Sequence, residues 1–438
     1  MCFSQADRLA GAWIGSVGRG ERAASVVCFF ENGAGKIFSI ELATENQIGE
    51  LTLTAGRLHF EVAFLKAAFE GTLSADGSRI VGEWIQPGAK EPMLLERTDK
   101  HSVSPAVMKG IDAYVPKSPT VVRAGGKDRL FYELHITNWS DAEMALEQVD
   151  VMIGDDVAVI KGEGLKKLAI AAGTKLAPGV RSVVLVPVAG SNFPGSIKHR
   201  VTFKLEGEVR ERTIECAPAQ VLTGAVRIAP PLGRGSWTAR AGPDASLHHR
   251  GIVIPYQGRA TISQRFAFDF LHETNGIGDA GAPVLAVADA VVHSVKDGLP
   301  ENQINAVIPA VPLKVEDMFG NRITLDLGGD RYATYGHLRA GLSVKAGDRV
   351  RVGQVLGAIG NSGHTTGPHL HFQITDGPDP IGSEGLPFVF ASFEHEGSMY
   401  SDEMPLSEWL ITFPKPAGDP ASARLAGRHK GRLRSKRP

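Results

Sequence analysis

Cysteine is nearly missing from this chain: Cys2, Cys28 and Cys216 are the only three in 438 residues, and no two of them form a C-x-x-C pair. That scarcity excludes a disulfide framework and a thiolate zinc site, leaving core or incidental thiols. Long apolar runs are absent too, so nothing predicts a transmembrane helix. The opening MCFSQADRLAGAW has neither the basic start nor the continuous apolar stretch of an export signal, which taken literally places the protein in the cytoplasm. An excess of one charge is also lacking: 47 Lys and Arg face 48 Asp and Glu, a net charge of −1. No specific nucleic-acid binding is expected from such a balance. With 43% hydrophobic and 22% charged residues, the composition is that of a globular protein, long enough for roughly two to four domains.

What is present is strand and turn, and three β-rich domains are expected. Residues 1–100 hold short alternating runs (SVVCFF, KIFSIEL, LHFEVAF, IVGEWIQ) broken by Gly, Asn and Asp about every ten residues, the rhythm of an antiparallel barrel. LAGAWIGSV and FEGTLSADGSRIVGEWIQ resemble the small lipocalin-like β-barrel at the N-terminus of some bacterial hydrolases. A Ser/Pro/Lys-rich linker is expected over 101–119. Residues 120–217 then show the alternation of an immunoglobulin-like sandwich, in LFYELHITNW, VRSVVLVPV and HRVTFKLEG. A second linker is expected over 218–238, and a third β domain over 239–414. Residues 415–438 read as a disordered tail: from Arg424 onward it carries seven Lys/Arg and no Asp/Glu, and solvated disorder competes with attraction to an anionic polymer.

The chemistry concentrates in the third domain. GNSGHTTGPHLHF, Gly360 to Phe372, sets His369 and His371 two residues apart. On a strand that spacing puts both imidazoles on one face, about 7 Å apart. In TISQRFAFDF, Phe266, Phe268 and Phe270 share one face while Arg265, Ala267 and Asp269 share the other, so a carboxylate stands opposite a core face.

Together with GAPVLAVADAVV, YGHL and VKAGDRVRVGQVLGAIGNSG, these segments resemble the lysostaphin/LytM-type zinc metallopeptidases, whose known members cleave peptide cross-links of bacterial peptidoglycan. The resemblance runs from His249 to near Phe393. It implies an antiparallel β-sheet whose groove holds one zinc ion, with Asp269 and His371 as ligands and His337 and His369 as catalytic histidines. It also implies peptidoglycan or a peptide as substrate and a periplasmic or extracellular setting, against the cytoplasmic reading of the N-terminus. Three protein ligands with one open position suit a catalytic zinc, and imidazoles suit proton transfer and oxyanion binding.

One position departs from the family pattern. Its first zinc ligand is a histidine four residues before the aspartate; here that residue is Arg265, which has no lone pair to give. HHRGIVIPYQGRATISQRF reads as a β-hairpin with its tip near Gln257, which would set His249 opposite Arg265 and supply the missing nitrogen, with His248 as the alternative. Arg265 would then either face the groove and grip a substrate carboxylate or stand as a plain surface arginine. His364, in the turn GNSGHTTG, is the candidate for a further substrate contact. Two functions remain open: a zinc metalloendopeptidase, or a degenerate member of the fold that binds peptidoglycan or activates a wall amidase.

Overall fold

The computed structural model describes residues 8–18, 24–31, 33–39, 44–98, 110–208, 210–233, 235–244, 247–272, 280–305, 308–312 and 314–414. The basic tail lies outside these. The chain is nearly all β, and no described helix is long and apolar enough to cross a membrane.

Eight antiparallel strands from Gly11–Val17 to Ala89–Thr98 follow one another around a closed barrel. Closure comes from the first strand, which pairs with both the second and the eighth. Period two sorts the side chains: Leu58, Phe60 and Val62 point inward and are buried, as are Phe69, Ile80 and Trp84. The Phe60 and Phe69 rings stack at 4.9 Å, so aromatic packing fills part of the interior, and a cavity of about 390 Å³ lined by Val26, Ile37, Asn46 and Trp84 remains in the barrel.

The described residues within 113–137, 144–176 and 181–414 form a second compact unit. Its central part contains a five-stranded sheet, including Lys127–Asn138 and Arg181–Gly190, and a six-stranded sheet, including Met144–Ile153 and Ser196–Leu205. The strand Lys127–Asn138 is buried on both faces from Leu130 onward. Alternation alone would leave one face wet. The other face is covered because Phe131 joins the core that holds Phe266, Phe268 and Phe388.

That core belongs to a ten-stranded sheet. Its middle runs in the order Ala290–Lys296, Asn321–Asp326, Tyr332–Leu338, Leu370–Thr375, Phe268–His272, Gly235–Arg240, Trp409–Phe413. Part of the stretch expected as a second linker is therefore structural. Val226–Ile228 pairs in parallel with Phe388–Phe390, and Gly235–Arg240 is a central strand with Trp237 and Ala239 buried. The Pro/Gly-rich sequence before it masks this two-residue alternation.

The anticipated hairpin forms, but it is short. Tyr256 pairs with Arg259 across a tip at Gln257 and Gly258, both at positive φ (48° and 79°), and pairing ends at Ile254 with Thr261. His249 lies beyond it, in the helical turn Leu247–Arg250.

Candidate metal centre

Strand register builds the first half of the site. Asp269 is directly opposite His371, and Gly336 is opposite His371 on its other side. His337 follows at φ 59°, in the left-handed region, beyond a register shift between Asn321 and Ile323. Such shifts re-aim side chains beside functional sites. The turn is held by the His337 amide donating to Phe319 O at 2.7 Å. Gly320 and Gly363 interlock there: a Cβ on Gly320 would lie 2.2 Å from Ser362 O, and one on Gly363 would lie 2.3 Å from Gly320 N. These glycines permit the backbone contact that brings Ser362 O to His337.

The second half comes from the turn Leu247–Arg250, which delivers His249 to Asp269 with Nε2 3.4 Å from Oδ2. The structure thus brings Asp269, His249, His337, His369 and His371 around one groove of about 300 Å³, with Phe319 and Met318 among its walls. The His249 and His371 rings are 4.9 Å apart, and those of His337 and His369 are 4.7 Å apart. His364 is on the groove lining and exposed. His248 is exposed too, and its ligand atom lies within 4.8 Å of those of His249 and Asp269.

His249, His337, His369 and His371 each have one ring nitrogen committed to a fixed acceptor. His249 donates through Nδ1 to Ala241 O at 3.0 Å and Ala267 O at 3.3 Å. His337 Nδ1 is 2.8 Å from Ser362 O, and His369 Nδ1 is 2.8 Å from Gly367 O. His371 uses Nε2, 3.0 Å from Gln373 Oε1, and the Gln373 amide nitrogen donates to Pro380 O at 2.8 Å, which fixes the direction of the amide. The other nitrogens of three of these rings face one carboxylate: His371 Nδ1 is 3.0 Å from Asp269 Oδ1, His369 Nε2 3.5 Å from Oδ1, and His249 Nε2 3.4 Å from Oδ2.

In their neutral forms these nitrogens are lone pairs turned on a carboxylate, acceptor against acceptor, an arrangement that calls for a cation. Burial works against ionised Asp269, yet the surrounding imidazoles, His249 foremost, hold its carboxyl well below the usual range. Burial likewise holds His337 well below an ordinary histidine, with His369 and His371 adding to the effect, and lowers His371. In His369 burial is outweighed by the Asp269 charge, which raises it. A tetrahedral ion with bonds of about 2.0–2.1 Å has donors about 3.3 Å apart. The His249–Asp269 and His371–Asp269 separations of 3.4 and 3.0 Å match that spacing. Pairwise these donors suit zinc, His249 on Oδ2 and His371 on Oδ1, while the trio at this groove whose ligand atoms all lie within 4.8 Å of one another is His248, His249 and Asp269.

Arg265 requires a correction. It does not line the groove: it sits in the turn before the strand, is 3% exposed, and points into a buried ion-pair cluster. Its Nε donates to Glu133 Oε2 at 2.6 Å and its Nη2 lies 2.9 Å from Glu384 Oε2. With both ends of the guanidinium occupied, none of it is offered to a substrate. Sequence reasoning missed Gln373 and Glu133. Gln373 was findable, being two residues after His371 and so on its face; Glu133 lies 132 residues from Arg265 and carries no local signal.

Residues 275–382 match the sequence model of Peptidase family M23. The stretch contains His337, His364, His369 and His371 but neither Asp269 nor His249. Over 101 residues the chain is 32% identical to Peptidoglycan DD-endopeptidase ShyC of Vibrio cholerae, covering 23% of this chain and 19% of that protein. Over 73 residues it is 37% identical to lysostaphin of Staphylococcus simulans, covering 16% and 15%. The chain thus spans less than a fifth of the length of these curated relatives. Among solved structures, the catalytic domain of the prophage-encoded M23 protein EnpA from Enterococcus faecalis is similar over 36% of this chain and 91% of that chain, at 22% identity and a TM-score of 0.23. The C-terminal region carries a segment of peptidase family M23, of the lysostaphin/LytM type that its motifs resemble.

Proposed function

We propose that the C-terminal domain is a zinc-dependent metalloendopeptidase acting on peptide bonds of peptidoglycan cross-links. The observation that carries this reading is the convergence of three imidazole nitrogens on Asp269 at 3.0–3.5 Å, each ring oriented by a separate hydrogen bond. His249, Asp269 and His371 would hold the ion. When bound, zinc supplies Lewis acidity toward the scissile carbonyl and makes water a nucleophile near neutral pH. His337, with Nδ1–H tied to Ser362 O, presents Nε2 to the groove and accepts a proton there. His369, with Nδ1–H tied to Gly367 O, carries a proton on Nε2 in its charged form and donates it to the oxyanion or the leaving amine. Phe319 and Met318 wall the groove and limit water around the bond.

The substrate class rests on the relatives' names: ShyC is a peptidoglycan DD-endopeptidase, and ALE-1 of Staphylococcus capitis, 47% identical over 55 residues, is a glycyl-glycine endopeptidase. The competing reading, a metal-free binding or amidase-activating module, is favoured by Arg265 at the family's first ligand position. Metal analysis of the purified full chain separates the two. One zinc per chain, lost in His371→Ala and in His249→Ala, together with new amines released from purified peptidoglycan, is the expected result. No zinc after reconstitution, with peptidoglycan still bound, would establish the module instead.

A further inference from the structure

The segments that carry two of the three proposed ligands are tied, through Arg250 and Arg265, to one buried carboxylate that belongs to neither. Glu133 lies on the central strand Lys127–Asn138 and is 1% exposed. Its Oε1 receives Arg250 through Nε and Nη2, both at 3.4 Å. Arg250 immediately follows His249 and is anchored further by donating to Tyr132 O at 2.7 Å and Pro243 O at 3.1 Å. The other oxygen of Glu133 receives Arg265 Nε at 2.6 Å. From Arg265 the chain reaches Asp269 through Ala267, whose carbonyl lies 3.3 Å from His249 Nδ1. Arg265 is closed off by Glu384 Oε2 at 2.9 Å and Gly385 O at 3.3 Å. Two guanidiniums and two carboxylates thus make a neutral cluster beneath the groove, with His249 and Asp269 on its upper side.

We propose that Glu133 is a positioning residue for the metal centre: through Arg250 and Arg265 it sets the relative placement of His249 and Asp269, so the central sandwich is part of the peptidase site. This inference rests on the metallopeptidase reading. The departure from the family pattern then has a physical sense. Arg265 gives up the ligand position and takes a bracing one, and the ligand is resupplied by a turn that the same brace fixes. Groups that orient metal ligands from behind typically control affinity by about ten- to a hundredfold.

The test uses the full chain. Zinc affinity is read by competition with a chelating dye, and the absorption spectrum of the cobalt-loaded protein reports ligand geometry. Glu133→Gln is expected to weaken zinc binding about ten- to a hundredfold and to change the cobalt spectrum, with Glu133→Asp restoring part of both. Should Glu133→Gln not fold, the combined Glu133→Leu, Arg250→Met, Arg265→Met, Glu384→Gln variant removes all four charges while keeping the interior filled, and the same losses are expected. A folded variant of either kind with wild-type affinity and an unchanged cobalt spectrum, whatever its melting temperature, would overturn the inference and leave Glu133 a structural residue only. His371→Ala is the control. If the wild-type chain holds no zinc, or His371→Ala holds as much, the metallopeptidase reading fails and this inference with it.

Discussion

The barrel and the groove-bearing unit bury different kinds of side chain. Among the described residues the barrel encloses little that is polar, Asn46 and the Ser39 hydroxyl, in an interior of Trp13, Phe30, Phe60, Phe69 and Trp84. The second unit buries Glu133, His199, His249, Arg250, Arg265, His337, His371 and Gln373. A closed barrel satisfies its backbone by ring closure, and period-two alternation fills its interior with apolar groups, so no charge is needed. A metal site needs nitrogen lone pairs aimed within a few tenths of an ångström, and that precision comes from hydrogen bonds and balanced charges, which are costly unless every one is matched. The two regions thus differ in what their cores are made of: apolar packing around a cavity of about 390 Å³ in the one, matched charges and hydrogen bonds in the other.

The sharpest break in that comparison is His371→Ala or His249→Ala. Each is expected to remove the zinc and bring peptide hydrolysis below detection while the far-UV circular dichroism stays that of the parent; metal retained in His249→Ala would return the missing-ligand question to His248. On the other side, Phe60→Ala should cost about 3–5 kcal/mol of barrel stability in denaturant unfolding, with zinc content per folded chain unchanged. Zinc loss there would show that the two cores are not separable.

Acid should distinguish the regions next. His199, fully buried beside the Tyr132 hydroxyl at 2.7 Å, is lowered by burial from 6.5 to about 4. It is neutral when folded, so the unfolded chain binds the extra proton once pH drops below about 6.5. Stability from this source is complete above that value and is lost as pH falls toward about 4, by roughly 3 kcal/mol. Chemical denaturation at pH 7 and pH 4.5 checks this, and His199→Phe should flatten the dependence of the second unit. The barrel holds no buried histidine among its described residues, so its transition should move less over the same window. The smallest effect expected is that of Gln373→Leu. It frees His371 Nε2 from its acceptor and should weaken zinc binding about ten- to a hundredfold without unfolding the sheet; unchanged affinity would mean that strand register alone orients His371.

Much of this was legible residue by residue. The alternation of LHFEV placed Leu58, Phe60 and Val62 inside the barrel, because a strand sends successive side chains to opposite faces. Asp269 was legible as a groove carboxylate among three core phenylalanines, and the HLH spacing brought His369 and His371 to one groove. The hairpin tip at Gln257 was legible from its turn chemistry, but not how far its pairing would extend. The strand Gly235–Arg240 was hidden behind the Pro/Gly-rich run before it.

By itself, then, the sequence determined the β character of the chain, the barrel's interior, and a carboxylate and histidines suited to metal chemistry, since each depends on spacing within a few residues. Only the tertiary structure decided which side chains gather at Asp269. His249 arrives from a helical turn and not from a paired strand, Arg265 turns away from the groove, and Glu133 pairs with Arg265 from 132 residues upstream. Periodicity states which face a side chain takes, whereas the partner across that face depends on which remote segment packs there, and a buried charge has its place only once its counter-charge is in position.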